Sequence, residues 1–261
     1  MPVTPPRARR PAPPAKAPSL PAGVPRFPYV DRTRHPTINL VFLAPFLLMY
    51  ILCWWSVGDA VETQAAASLR SLLRLFGPRG LFVLTLITCL ALCGVVLVRL
   101  RVARADAGVY PGMLIEGIVY GLLLEHMAWM LTKVLPVGEW MGIPLARLPA
   151  GLPEVRALGI AIGAGIFEEL LFRGLLCMGI LHAVRHVLGA DRWSSGAIAV
   201  VASALLFSAY HHWGPGGEPW SAINFTFRFH AGLILGAIFL GRGLGIAAFA
   251  HGFYDALVLL A

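Results

Sequence analysis

Charge is scarce in this sequence. Asp, Glu, Lys and Arg make up only 13% of its 261 residues, about half the share of an average soluble domain, while 58% are hydrophobic. So little polar surface excludes a water-soluble globule. Cysteine is sparse as well: Cys53, Cys89, Cys93 and Cys177 fall in or beside apolar runs, where a thiol behaves as a small hydrophobe. Cys89 and Cys93 share a helix face as i and i+4, but no C-x-x-C and no H-E-x-x-H occurs. The chain therefore encodes neither a thioredoxin-like redox pair nor a contiguous zinc motif. It also lacks an internal repeat and a soluble segment between its apolar runs, which leaves one domain of packed helices.

The apolar runs are long enough for a bilayer, which takes about 17–25 residues per helix. They fall near 38–55, 81–98, 108–131, 158–184, 196–211, 229–240 and 244–260. The expected fold is all-α, a polytopic transmembrane bundle of about seven spans, six to eight allowing for interrupted runs. Residues 1–36, rich in Pro, Ala and Arg, cannot bury a core and read as a disordered cytoplasmic tail. Residues 37–261 form the helical domain, with its motif-bearing core at about 157–261. Between spans, "SLRSLLRLF" has the look of a short interfacial helix.

The net charge of +8 is spread between spans and along the tail rather than massed on one face, so a nucleic-acid partner is not expected. With the N-terminus inside, threading places thirteen Lys and Arg on the cytoplasmic side and seven, Arg228 among them, on the other. That asymmetry favours a cytoplasmic N-terminus. The expected setting is the cell membrane of a bacterium or archaeon, with the lipid bilayer as partner.

Against this background "GIFEELLFRGLL" puts Glu168, Glu169 and Arg173 inside a spanning run. Facing lipid and unpaired, three such charges cost on the order of 8–10 kcal/mol, so they face the protein. Glu169 and Arg173 are i and i+4, acid first, the favourable order for a pair on one helix face. Glu168 points about 100° away, with Leu171 and Phe172 at i+3 and i+4. It is the carboxylate left over, and a carboxylate so placed is a candidate general base. The bland alternative is that all three hold helices together.

Two more helices bring histidines. "LLFSAYHHW" ends the fifth span with His211 and His212, His211 being the one read as buried, and "FAHGFYDALVL" carries His251 and Asp255 inside the seventh. Asp255, i+4 from His251, can reach the imidazole and fix its tautomer. A Glu with two His supports a glutamate-activated water or a zinc site with Glu168, His211 and His251 as ligands from three helices; both end in amide hydrolysis, and the first needs no cofactor. In the third span Glu116 and Glu125 lie on roughly opposite faces, and Glu125 with His126 reads as interfacial or supporting rather than catalytic. Gly232 and Gly236, four apart, imply a close helix contact in the sixth span. One difficulty of depth stands: His211 lies near the end of its span, whereas Glu168 and His251 lie nearer mid-span.

The ordered set "EELLFR", "FSAYH" and "HGFYD" resembles the CAAX protease and bacteriocin-processing (CPBP or Abi) family of intramembrane glutamic proteases, related to the type II CAAX prenyl endopeptidases. The family pattern is E-E-x-x-x-R, F-x-x-x-H and H-x-x-x-N or D, in that order. The resemblance covers roughly the last 100 residues. It implies that Glu168 activates water and His211 helps hold it, that His251 and residue 255 bind the carbonyl oxygen, and that Glu169 and Arg173 support them. The implied partner is a membrane-anchored protein or peptide substrate, cleaved without a metal. Asp255 stands where better-studied members have Asn, and an ionised Asp repels an oxyanion. Some members of the family are scaffolds or immunity proteins without protease activity, which is the alternative function.

Overall fold

The computed structural model describes residues 29–74, 77, 108–134, 153–213 and 217–260. The tail up to residue 28 and the run at 81–98, with Cys89 and Cys93, lie outside these. Helix α1 (Tyr29–Thr33) and helix α2 (Pro36–Val57) come first. Residues 29–35, which the sequence assigns to the tail, are thus helix and turn. Tyr29 lies under the Arg242 guanidinium, 4.9 Å from its ring centroid, and Arg34 Nε donates to the Gly241 carbonyl at 2.8 Å. These contacts offset the ordering entropy that a Pro/Ala tail cannot. Pro36 opens α2, where its missing N–H costs nothing, and His35 Nδ1 accepts from the Thr37 amide at 3.3 Å.

A 3₁₀ turn (Gly58–Val61) leads into α3 (Gln64–Arg74), the amphipathic stretch expected between spans. Helix α4 (Val109–Val134) follows. Next, α5 (Glu154–Gly163), two π-helical segments (Ala164–Glu168 and Leu170–Cys177) and α6 (Met178–His186) run on as one rod, helical φ and ψ being kept at every junction. Helix α7 (Arg192–Tyr210) is capped by Asp191, whose carboxylate accepts from the Trp193 and Ser194 amides. Helix α8 (Ala222–Arg242) is capped by Ser221, and α9 (Leu244–Leu260) follows after one residue, Gly243, at φ 100°. That tight turn needs glycine.

Four helices, Pro36–Ala60, Val109–Val134, Arg192–Tyr210 and Ala222–Arg242, are long and apolar enough to cross a membrane, and Leu244–Leu260 is a shorter apolar one. No strand occurs among the described residues. The protein is an all-α integral membrane bundle. Two boundaries differ from the hydropathy reading: the fourth span begins at Glu154, after Pro153, and the sixth at Ala222, after Ser221. Capping, which hydropathy does not register, sets the second start, where Ser221 Oγ accepts from the Asn224 amide, whereas the first follows Pro153, which makes no side-chain cap. The second shift brings Arg228 inside a helix.

Helix α9 is central, packing on α2, α4, α5 and α8. Without a hydrophobic force between helices in lipid, tight association comes from close backbone approach. A Cβ on Gly232 would lie 3.0 Å from Ala204 Cβ, and one on Gly236 2.9 Å from Val200 Cγ1, so the small-residue pair seats α8 on α7. A tighter crossing, backbone against backbone, lies elsewhere, where a Cβ on Gly165 would lie 2.5 Å from the Ala248 carbonyl oxygen and 2.8 Å from the Gly252 nitrogen. Both are backbone atoms that cannot rotate aside. Gly165→Ala is expected to force α9 off the rod and lower stability by about 1–3 kcal/mol. A reduced unfolding temperature in detergent checks this, with Gly241→Ala, whose Cβ meets nothing within 4 Å, as the unaffected control.

Candidate active site

The π-helical part of the rod, the end of α7 and the middle of α9 meet beside the Gly165–Gly252 crossing. Glu168, Glu169, Arg173 and His251 are all buried there, Glu169 and Arg173 at 0% and 1% exposure. Arg173 Nη1 donates to Glu169 Oε1 at 2.7 Å, the i, i+4 pair expected from spacing. Arg173 also reaches other helices. Its Nη2 donates to the Gly232 carbonyl at 3.2 Å, and its Cζ lies 4.6 Å above the Phe207 ring. One buried guanidinium thereby ties the rod to α7 and α8.

Glu169 does more than neutralise Arg173. The same Oε1 accepts the Nδ1–H of His251 at 2.8 Å. Asp255 Oδ2, expected from i, i+4 spacing to orient this imidazole, stands 3.6 Å from Nε2, beyond hydrogen-bond range. The orienting group is therefore Glu169 on another helix, and Asp255 is a neighbour of the opposite ring nitrogen. The in-helix pair expected from spacing is present at 3.6 Å, but rotamer and packing, not spacing alone, give the hydrogen bond to Glu169.

Glu168 makes no hydrogen bond to another described side chain. Its Oε2 lies 3.8 Å from His211 Nε2. His211 Nδ1–H donates to the Phe207 carbonyl at 2.8 Å, so Nε2 carries the lone pair and faces Glu168. His212 turns elsewhere, its Nδ1–H donating to the Glu218 carbonyl at 3.2 Å. Of the two histidines His211 is the one toward the carboxylate, although both are half-buried and the burial difference expected from the sequence is not seen.

The difficulty of depth resolves through the hairpin at 187–191. Glu168 and His211 lie at nearly equal sequence distances from it, so the antiparallel rod and α7 bring them to one level. Glu125 and His126 lie exposed on α4, away from the cluster. Glu116 is at the other end of the bundle, paired through both oxygens with Arg242. Among the described residues no three His, Cys, Asp or Glu side chains form a group that could hold a metal ion. Next to the cluster an apolar cavity of about 260 Å³ is lined by Phe46, Met49, Ile162, Ile166, Phe249 and Gly252 among others.

Arg228 and Glu218 went unrecognised in the sequence. They pair with each other beside the end of α7, and Arg228 lies within electrostatic reach of His211 and Asp255. The available signal was a charge inside a helix, hidden because hydropathy started that helix after Arg228.

Fold and site together define an all-α membrane protein with a carboxylate, two histidines and a buried ion pair gathered among the rod and helices α7 to α9. The family model described as Rce1-like type II CAAX prenyl endopeptidase matches residues 151–257, a segment that contains every one of these side chains. The resemblance of the ordered motifs to the CAAX protease family is borne out over that segment. No curated protein matches the chain. No solved structure matches it either.

Proposed function

We propose that the protein is an intramembrane endopeptidase that hydrolyses a peptide bond of a membrane-anchored protein or peptide with a water activated by Glu168. The observation that carries the reading is the 3.8 Å approach of Glu168 Oε2 to the lone-pair nitrogen of His211. It is too long for a direct hydrogen bond and suits two acceptors sharing one water. In this reading the water gives one hydrogen bond to each. Glu168 takes a proton as the oxygen attacks the carbonyl carbon, and returns it to the leaving amine. His251, protonated on both ring nitrogens, keeps its Nδ1–H on Glu169 and donates its Nε2–H to the developing oxyanion. Asp255, 3.6 Å from that nitrogen, acts on the ring rather than on the oxyanion. The Rce1-like match supports the peptidase class, and the adjoining apolar cavity suits a hydrocarbon part of the substrate.

The test uses full-length protein in lipid nanodiscs with a library of membrane-anchored peptides, prenylated and not. Cleavage is expected, lost in His211→Ala and retained after exhaustive treatment with a chelator, since no step uses a metal. Cleavage of no peptide, or cleavage equal in His211→Ala, overturns the reading. Loss of activity on chelation with return on added zinc would replace the glutamate mechanism by the metal one.

A further inference from the structure

His211 follows the last residue of α7. Its amide bonds the Ser208 carbonyl at 3.3 Å, the tightened pattern of a helix end, and helix ends fray. A side chain that must hold a reacting water tolerates about 0.5 Å of misplacement. The chain just beyond supplies restraint. The Glu218 amide donates to the His211 carbonyl at 2.8 Å, and the Glu218 carbonyl accepts from His212 Nδ1 at 3.2 Å. Both main-chain groups of Glu218 thus grip the His211–His212 turn, and its carboxylate is gripped in turn by Arg228 from inside α8. The Arg228 side chain is only 17% exposed. A half-buried cation in an apolar helix is costly unless it is paired.

We propose that Arg228, acting through Glu218, is a positioning residue that sets His211 opposite Glu168. The inference rests on the proteolytic reading above for its catalytic purpose. Arg228 anchors the strap from α8, itself seated on α7 through Gly232 and Gly236, so the position of His211 is referred to the bundle core rather than to a free helix end. Ser208 Oγ, donating to the Phe225 carbonyl at 2.6 Å, joins the same two helices one turn before. The guanidinium is also within electrostatic reach of Asp255 and His211.

The experiment compares wild type, Arg228→Met, Arg228→Lys and Glu218→Ala, each full length in nanodiscs. Two quantities are measured: cleavage kinetics on the best peptide, and amide hydrogen exchange across residues 207–221. Arg228→Met is expected to lower kcat by about 10–100-fold, with KM held within about twofold. Exchange at the His211 and Glu218 amides should rise about tenfold, and Arg228→Lys should recover much of both. If Arg228→Met fails to fold, Glu218→Ala removes the same pair from a loop and carries the same expectation. Unchanged kcat overturns the proposal. A raised KM with kcat intact also overturns it, because Arg228 would then contact substrate. If wild type cleaves nothing, the proteolytic reading fails and the catalytic purpose with it, while the exchange data still decide whether Arg228 holds His211.

Discussion

Glu168→Gln is expected to reduce kcat by about 10²–10⁴-fold while leaving the protein folded. The amide is the same size as the carboxyl but cannot take a proton from water. Because Glu168 makes no hydrogen bond to another described side chain and its Oε2 sits 3.8 Å from His211 Nε2, no structural tie is lost. Burying a neutral amide in place of a carboxyl should hold or raise the unfolding temperature. Single-turnover cleavage and thermal unfolding on one preparation check both halves. Hydrolysis retained within a few-fold would place the base elsewhere.

Arg173→Ala is expected to do the reverse, unfolding the bundle before any question of chemistry arises. It removes the 2.7 Å pair with Glu169, the 3.2 Å bond to the Gly232 carbonyl and the contact with Phe207, all from a residue 1% exposed. Breaking a buried pair on one side strands the other charge, at a cost of about 3–5 kcal/mol. Among the described residues Glu169 would then keep His251 alone as a side-chain partner. Replacing both, as Glu169→Gln with Arg173→Met, should recover much of the loss because no unpaired charge remains. Denaturant titration in mixed micelles measures all three. The two predictions also separate the protease from a scaffold: a scaffold needs Arg173 and Glu169 but is indifferent to Glu168.

Much of the site was legible because membrane burial makes charge expensive. Glu168, Glu169 and Arg173 stood out in an apolar run, and α-helical spacing divided them into a pair and a remainder; the 2.7 Å Arg173–Glu169 bond agrees with that division. The partner of His251 was not legible. Spacing offered Asp255 on the same helix, whereas the hydrogen bond goes to Glu169, 82 residues away in the chain. Helical periodicity reports neighbours on one helix and is silent about which face of another helix arrives. The π-helical turns of the rod were likewise invisible in a run that reads as plain α-helix. The shared depth of Glu168 and His211 was available in principle, since both lie equally far from the hairpin at 187–191, but only once the two helices are known to pack antiparallel.

By itself the sequence determined the environment and the inventory. Its hydropathy dictates a helical membrane bundle, because backbone groups in lipid must satisfy one another within each segment. Its buried charges name the polar residues, because nothing else would retain them there. The tertiary structure alone decided which of those residues touch. Gly165 against Gly252 brings α9 onto the rod closely enough for Glu169 to take His251. The strap from Glu218 to Arg228 ties down the end of α7 that carries His211. Such contacts depend on sub-ångström backbone approach and on helix starts set by caps, and neither leaves a trace in hydropathy.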